Sequence, residues 1–468
     1  MPRDSALISA LECFLSRELG GSVTIKELQK LTAGASQETF RIKIVTVIGD
    51  RSLALLRAQP SCDSDSGVGG LSLATEARLI QLANAGGVPG PEILYVLQAD
   101  DGVGSGFVME WLEGETLGQR INRSEELADI RPQLARECGR TMARIHSLDW
   151  QAAGLAEALP SVDPAALVEE TFATYLDLSV PMPMIDYTWR WLRDNLPCES
   201  RRTLVHGDFR NGNLMVSPAG IRAVLDWELA QVGDPVRDLG WICVNSWRFG
   251  NGHLPVGGFG TIDDLLAGYR EVSGVEVSLE QLTFWQVFGS FWWSIITLQM
   301  AMAWRKGEAP SLERPVIGRR SSEAQMDCVN LLLPGSFELP DMTRGLAEGT
   351  RLPMPAELLE GVVDFLRDTV AEQVKGHERF LARVAANSLG IAQRELCHGP
   401  HLEQAELARL SSLLGTAGSL DALRTELSSR LRDGLSLEAP GLQEHLRQTV
   451  AGQLAIDQPG YSALSRST

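Results

Sequence analysis

The sequence predicts an α+β fold in which a small β-rich lobe comes first, a larger helical lobe follows, and an all-α region closes the chain. Three observations predict it. Apolar runs of strand length, separated by turn residues, fall within the first 110 positions, as in Leu53-Ala54-Leu55-Leu56 and Gly106-Phe107-Val108-Met109. Helical spacing dominates afterwards, interrupted by one polar loop between the apolar runs Thr203 to Val205 and Met215-Val216, with Ala223 to Leu225 as a third run. A Pro-rich stretch, Pro334-Gly335, Pro340 and Arg351-Leu352-Pro353-Met354-Pro355, then separates the second region from a third that is helical throughout. The expected divisions are 1–110, 111–340 and 352–455, with 456–468 as a disordered tail rich in Gln, Gly, Ser and Pro.

The elements follow in order. The N-terminus is an amphipathic segment carrying Glu12, Arg17 and Glu18, without the uncharged core of a signal peptide. Leu31 to Phe40 is a short turn between strands, and Pro60 to Gly70 has the Ser, Asp and Gly content of a loop. Ser72 to Leu82 reads as a helix, with Glu76 on the side of Leu73, Leu79 and Ile80. Arg140 to Asp149 ends an amphipathic helix, so His146 complements its C-terminal dipole. Phe284 to Trp304 runs 21 residues without a charge, yet Gln286, Ser290, Ser294, Thr297 and Gln299 and the mid-segment Trp residues mark it as a buried central helix rather than a membrane span. His398-Gly399-Pro400-His401 reads as a solvated Gly-Pro turn, with no further ligand at a metal-binding spacing.

The chemistry concentrates in Leu204-Val205-His206-Gly207-Asp208-Phe209-Arg210-Asn211-Gly212-Asn213 and in Val224-Leu225-Asp226-Trp227-Glu228. A hydroxyl nucleophile has to be oriented and has to lose its proton while a phosphoryl group approaches, which a carboxylate can do. Mg²⁺, a hard ion, takes oxygen ligands beside the nucleotide's phosphates. Asp208 and Asn213 are separated by four residues, the interval between the catalytic Asp and the metal-binding Asn of kinases. Asp226, on the next strand, supplies the second metal oxygen. Placing such loop residues on a strand scaffold is the usual way active sites are built.

Together with Gly233-Asp234-Pro235 and Asp238-Leu239-Gly240-Trp241, these blocks make the chain resemble the aminoglycoside phosphotransferase family of protein-kinase-like small-molecule kinases, from about residue 25 to 335. The subgroup it most resembles contains bacterial relatives of kinase domains fused to acyl-CoA dehydrogenases. The resemblance implies a protein-kinase-like two-lobed fold, ATP and Mg²⁺ as cofactors, Asp208 as the catalytic residue and Asn213 and Asp226 as metal ligands. It also implies a nucleotide lobe. Gly34 and Ser36 in the turn let backbone amides approach the phosphates. No lysine occurs between Lys43 and Lys306, so Arg57 takes the place of the strand cation, with Glu76 as its ion-pair partner. Met109 lines the adenine pocket, and the Glu110 carbonyl and Leu112 amide meet the adenine edge. Asp234 and Asp238 are explained by helix capping. The region after residue 356 resembles a helical domain of unknown function that follows such proteins in some bacteria.

A net charge of −18 argues against nucleic acid and anionic membranes as partners, and 44% apolar content is ample for a core. Seven scattered cysteines without a C-x-x-C pair suggest neither a disulfide framework nor a zinc site, so a reducing, cytoplasmic setting is expected. The expected partner is a small-molecule hydroxyl acceptor. An aminoglycoside needs an acidic mouth, for which Glu113, Glu115, Asp163, Glu169 and Glu170 are available, and a hydroxyacyl-CoA needs basic residues. Packing of the helical region on the kinase lobes or on a second subunit, making a homo-oligomer, is the default expectation for it. A catalytically silent nucleotide-binding scaffold is the alternative from another class.

Overall fold

The computed structural model describes residues 2–31, 37–58, 70–198, 200–308, 310–340, 342 and 353–465. In chain order, helix α1 (Pro2–Glu18) leads into strands β1 (Thr24–Lys30), β2 (Gln37–Thr46) and β3 (Gly49–Ala58), then α2 (Leu73–Ala85), β4 (Ile93–Val96) and β5 (Gly106–Glu110). Helices α3 (Gly118–Arg123), α4 (Leu134–His146), α5 (Pro164–Asp177) and α6 (Pro183–Asp194) follow. Next come β6 (Thr203–Val205), β7 (Leu214–Ser217), β8 (Gly220–Val224) and β9 (Gln231–Gly233), and then α7 (Val236–Ile242), α8 (Ile262–Ser273) and α9 (Leu279–Arg305). The remainder is helical: α10 (Glu313–Arg319), α11 (Ser321–Leu332), α12 (Pro355–Asp364), α13 (Ala371–Gln373), α14 (Gly376–Leu414), α15 (Leu420–Arg432) and α16 (Leu442–Asp457).

The chain forms two compact units. One holds residues 1–162, 200–242 and 254–277, and the other 163–199, 243–253 and 278–468. The first is built on an antiparallel five-stranded sheet of order β1-β2-β3-β5-β4, as the strand-length apolar runs predict. Side chains alternate across a strand, so Phe40, Ile42 and Ile44 of β2, Leu53 and Leu55 of β3 and Val108 of β5 all fall on the face that α1 covers with Leu7, Leu11, Phe14 and Leu15. The opposite face carries Gln37, Thr39, Ala54, Leu56, Ala58 and Met109.

Two small ladders, β6 with β9 and β7 with β8, complete the first unit's strands. Helices α4 and α8 cross closely: a Cβ at Gly139 would meet the Leu265 carbonyl, and one at Gly268 the Arg136 carbonyl. Arg136 and Arg140 both reach Glu271 over the same crossing.

In the second unit α9 confirms the buried central helix, its first half enclosing Phe284, Trp285, Phe288, Phe291 and Ile295. No helix among the described residues is long and apolar enough to cross a membrane. The helical region does not build a core of its own alone: Leu410, Leu427, Leu446, Val450 and Leu454 pack in one cluster with Met184 and Tyr187 of α6 and Met326 and Val329 of α11. His398 to His401 differ from expectation. They lie inside the 39-residue α14 with Pro400 within the helix, because packing of α14 on its neighbours outweighs the local turn signal of Gly399-Pro400.

Candidate active site

The loop between β6 and β7 carries Asp208 and Asn213, and the chain leaving β8 carries Asp226. All lie in the first unit. Gly207 has φ +83° and the space of a Cβ there is taken by the Leu229 carbonyl, so the residue before Asp208 has to be glycine. Asp226 is one of three non-glycine residues with positive φ among the described residues, at 66°. Such a backbone is strained for an L side chain and is held here by the surrounding bonds. One of them runs from the Leu225 amide to the Asn213 carbonyl at 2.8 Å, so the two loops are stitched to each other.

Asp208 is nearly buried and its carboxylate is held by three side chains. Trp241 Nε1 donates to Oδ1 at 2.6 Å, Asn213 Nδ2 donates to Oδ2 at 2.6 Å, and Arg210 Nε donates to the two oxygens at 3.0 and 3.2 Å. The Asn213 amide also donates to the Asp208 carbonyl at 3.0 Å, which fixes its amide nitrogen toward Asp208 and leaves its oxygen for another partner.

Beneath this loop sits Asp238. It accepts from the His206 amide at 2.7 Å and the Gly207 amide at 2.9 Å, and lies 3.1 Å from His146 Nε2, whose other ring nitrogen is 3.1 Å from the Tyr269 hydroxyl. Burial pushes its pKa upward, but His146 and the His206 amide prevail and hold the carboxyl below its usual range. Asp238 therefore does more than cap a helix: it clamps the backbone that presents Asp208. His146, expected only to complement a dipole, belongs to this clamp. Sequence spacing gave no signal for either partnership, because α4, α7 and the loop come from separate parts of the chain.

Glu76 is buried and accepts from Gln37 Nε2 and from the Trp227 amide, each at 3.3 Å. Burial, with the charges of Asp226 and Glu228 adding to it, raises its pKa to about 8. Burial and the nearby Glu228 and Asp208 likewise raise Asp226 to about 7, which Arg210 only partly offsets. Burial is the larger cause of both shifts, and the repulsion among these acids adds to it.

The expected Arg57–Glu76 ion pair is not formed. Arg57 pairs with Glu38, at 2.9 Å through Nε and 2.7 Å through Nη2, and stacks 5.2 Å from the Phe40 ring. The reason is the strand period: Arg57 shares parity with Leu53 and Leu55 and so faces α1, whereas Gln37 and Ala58, paired across β2 and β3, face Glu76. Met109 lies on the Glu76 face at the end of β5, with Glu110 exposed beside it. The chain from Leu112 continues to Glu115, which exchanges two backbone bonds with Val216. The Leu112 amide has no hydrogen bond within the described residues. Gly34 and Ser36 lie outside the described residues.

Among the described residues no group of three or more His, Cys, Asp or Glu side chains is placed to hold a metal ion by itself. A kinase-type magnesium needs fewer, because phosphates and water complete its shell. The Asn213 side-chain oxygen and the Asp226 carboxyl, on loops joined by the Leu225–Asn213 backbone bond, fit that requirement.

Comparison with known proteins agrees with this geometry. Residues 27–275 match the family described as "Phosphotransferase enzyme family", and residues 372–461 match a domain of unknown function, DUF6285. Acyl-CoA dehydrogenase family member 10 of Mus musculus is 32% identical over 246 residues, covering 50% of this chain and 22% of that protein. Acyl-CoA dehydrogenase family member 11 of Gallus gallus is 28% identical over 229 residues, 44% of this chain and 28% of that protein. The chain thus spans about a quarter of the length of these curated relatives. A candidate aminoglycoside phosphotransferase from Ralstonia eutropha shares the fold, with TM-score 0.56 and 22% identity over 69% of this chain and 97% of that one. The chain belongs to the phosphotransferase enzyme family.

Proposed function

We propose that this enzyme transfers the γ-phosphoryl group of ATP to a hydroxyl of a small molecule, with Asp208 orienting and deprotonating that hydroxyl. The observation that carries the reading is the carboxylate of Asp208, fixed by Trp241, Asn213 and Arg210 on a loop that the Leu225–Asn213 backbone bond joins to the segment carrying Asp226. The acceptor oxygen forms the new bond to the γ-phosphorus, the bond from that phosphorus to the bridging oxygen breaks, and ADP leaves with the electron pair. The acceptor's proton passes to Asp208. Magnesium, when bound, screens the phosphate charge, and Asn213 and Asp226 are the residues that would hold it. Met109, the Glu110 carbonyl and the Leu112 amide border the adenine.

The relatives' names point to coenzyme A thioesters, which makes a hydroxyacyl-CoA the first acceptor to try and an aminoglycoside the comparison. A silent nucleotide-binding scaffold is favoured by one feature, the absence of a basic partner for Glu76 among the described residues. The test is ATP turnover with Mg²⁺ against hydroxyacyl-CoAs, aminoglycosides, sugars and choline-like alcohols, with Asp208→Asn as the blank. Acceptor-dependent turnover lost in the variant is expected. ATP binding with no turnover on any acceptor supports the scaffold, and absence of ATP binding sinks both.

A further inference from the structure

Helix α7 places two side chains on one face, four residues apart: Arg237 and Trp241. Positions so spaced have Cβ atoms roughly 5–6 Å apart. Trp241 reaches Asp208 Oδ1, whereas Asn213, on the metal side, reaches Oδ2. Asp208 is thus approached from two directions, one facing Asn213 and Asp226, the other facing α7. If the nucleotide and its metal occupy the first, the acceptor has the second.

Arg237 stands on that second side without a partner. Among the described residues its side chain makes no ion pair and no hydrogen bond, and Nη1 is enclosed with nothing to donate to. Burial lowers its pKa, opposed by the charges of Asp238 and Asp208. Neither acid pairs with it, because Asp208 is engaged by Trp241, Asn213 and Arg210, and Asp238 by His146 and the amides of His206 and Gly207. A guanidinium kept partly buried and unpaired is costly unless an anion arrives to meet it. The residue is partly exposed, and of its guanidinium nitrogens only Nη1 is both enclosed and unbonded. Arginine's planar fork matches a carboxylate or a phosphate.

We infer that Arg237 is a specificity-determining residue of the acceptor site, and that the acceptor carries an anionic group, a carboxylate or a phosphate, near the hydroxyl-bearing part that meets Asp208. This rests on the kinase reading above. It disfavours polycationic aminoglycosides, which a lone guanidinium repels. The anion has two sources, the carboxylate of a free hydroxy acid or the phosphates of a coenzyme A thioester.

The experiment uses the full chain and four acceptors in matched pairs: 3-hydroxybutanoate with its methyl ester, and 3-hydroxybutanoyl-CoA with its neutral N-acetylcysteamine thioester. Calorimetric binding in the presence of ADP and Mg²⁺ is measured for the wild type, Arg237→Met and Arg237→Lys. The expected result is that one anionic member binds the wild type at least tenfold more tightly than its neutral partner, that Arg237→Met removes the preference with a loss of about ten- to a hundredfold, and that Arg237→Lys recovers part of it. Which pair shows the preference names the source. Equal binding of charged and neutral members, no binding of either anion, or unchanged affinity in Arg237→Met overturns the inference, as does a weakening of ADP alone. Steady-state turnover separates the two readings. An acceptor phosphorylated in an Asp208-dependent way with no dependence on Arg237 leaves the kinase intact and removes the inference, whereas ADP binding without turnover on any acceptor counts against the kinase.

Discussion

Asp208 receives three donors on two oxygens, so each donor sets the direction of the carboxylate. Trp241→Phe keeps the ring and deletes one N–H. We expect kcat to fall about tenfold, the cost of one hydrogen bond to a charged group, with the KM for ATP little changed, as steady-state kinetics on the identified acceptor would show. Gly207→Ala meets both a positive φ and the Leu229 carbonyl, and should lower Tm by several degrees or leave the protein insoluble, measured by thermal unfolding. At this scale the sequence was legible where chemistry is local: Asp208 and Asn213 sit within one loop, and the Leu225–Asn213 bond brings Asp226 to them. It was not legible for Trp241, His146 and Arg237, whose parts arise from contacts between distant segments or from a missing partner. The Arg57–Glu76 pairing failed for a simpler reason. Both residue types were right for an ion pair, but one position along a strand exchanges its two faces.

At the scale of elements, the crossing of α4 and α8 has backbone against backbone at Gly139 and Gly268, which leaves no room for a methyl group. Gly139→Ala gains helix propensity in α4, worth about 1 kcal/mol, but it has to push α8 away. A net loss of stability is expected, seen as a lower midpoint in urea, and a gain would show that α8 yields to the methyl group without cost. The displacement would be felt at the clamp, since His146 on α4 and Tyr269 on α8 touch each other at its base. Strand runs in the first lobe and the central helix α9 could be read from periodicity alone. Pro400 inside α14 could not, because a turn signal two residues long is weaker than the packing of a 39-residue helix.

For the molecule as a whole, several carboxyls are buried in the second unit, and their pKa values set a pH dependence. Burial raises Asp327 to about 7, pulled back only partly by the Tyr461 hydroxyl at 2.9 Å and by Arg248. Asp186 and Asp457 are raised to about 6 by the same cause. An acid with a raised folded pKa holds a proton that the unfolded chain has released. Its contribution is therefore present below the unfolded value, near pH 4, and is lost as pH climbs toward the folded value. Tm should decline from about pH 4.5 to 7.5, and Asp327→Asn should flatten part of that decline while raising Tm at pH 8 by a few degrees. An unchanged slope would show that Asp327 is not the group responsible. The sequence announced the helical region after residue 356 and offered the kinase lobes or a second subunit as its cover, but a leucine pattern marks a face to be covered without naming the helices, here α6 and α11, that cover it. The cluster that joins Leu427, Leu446 and Leu454 to Met184, Tyr187, Met326 and Val329 leaves a record of descent that can be read elsewhere. A cousin that lacks the last hundred or so residues inherits those four positions as bare surface, and has to have replaced them with polar side chains or found them another roof.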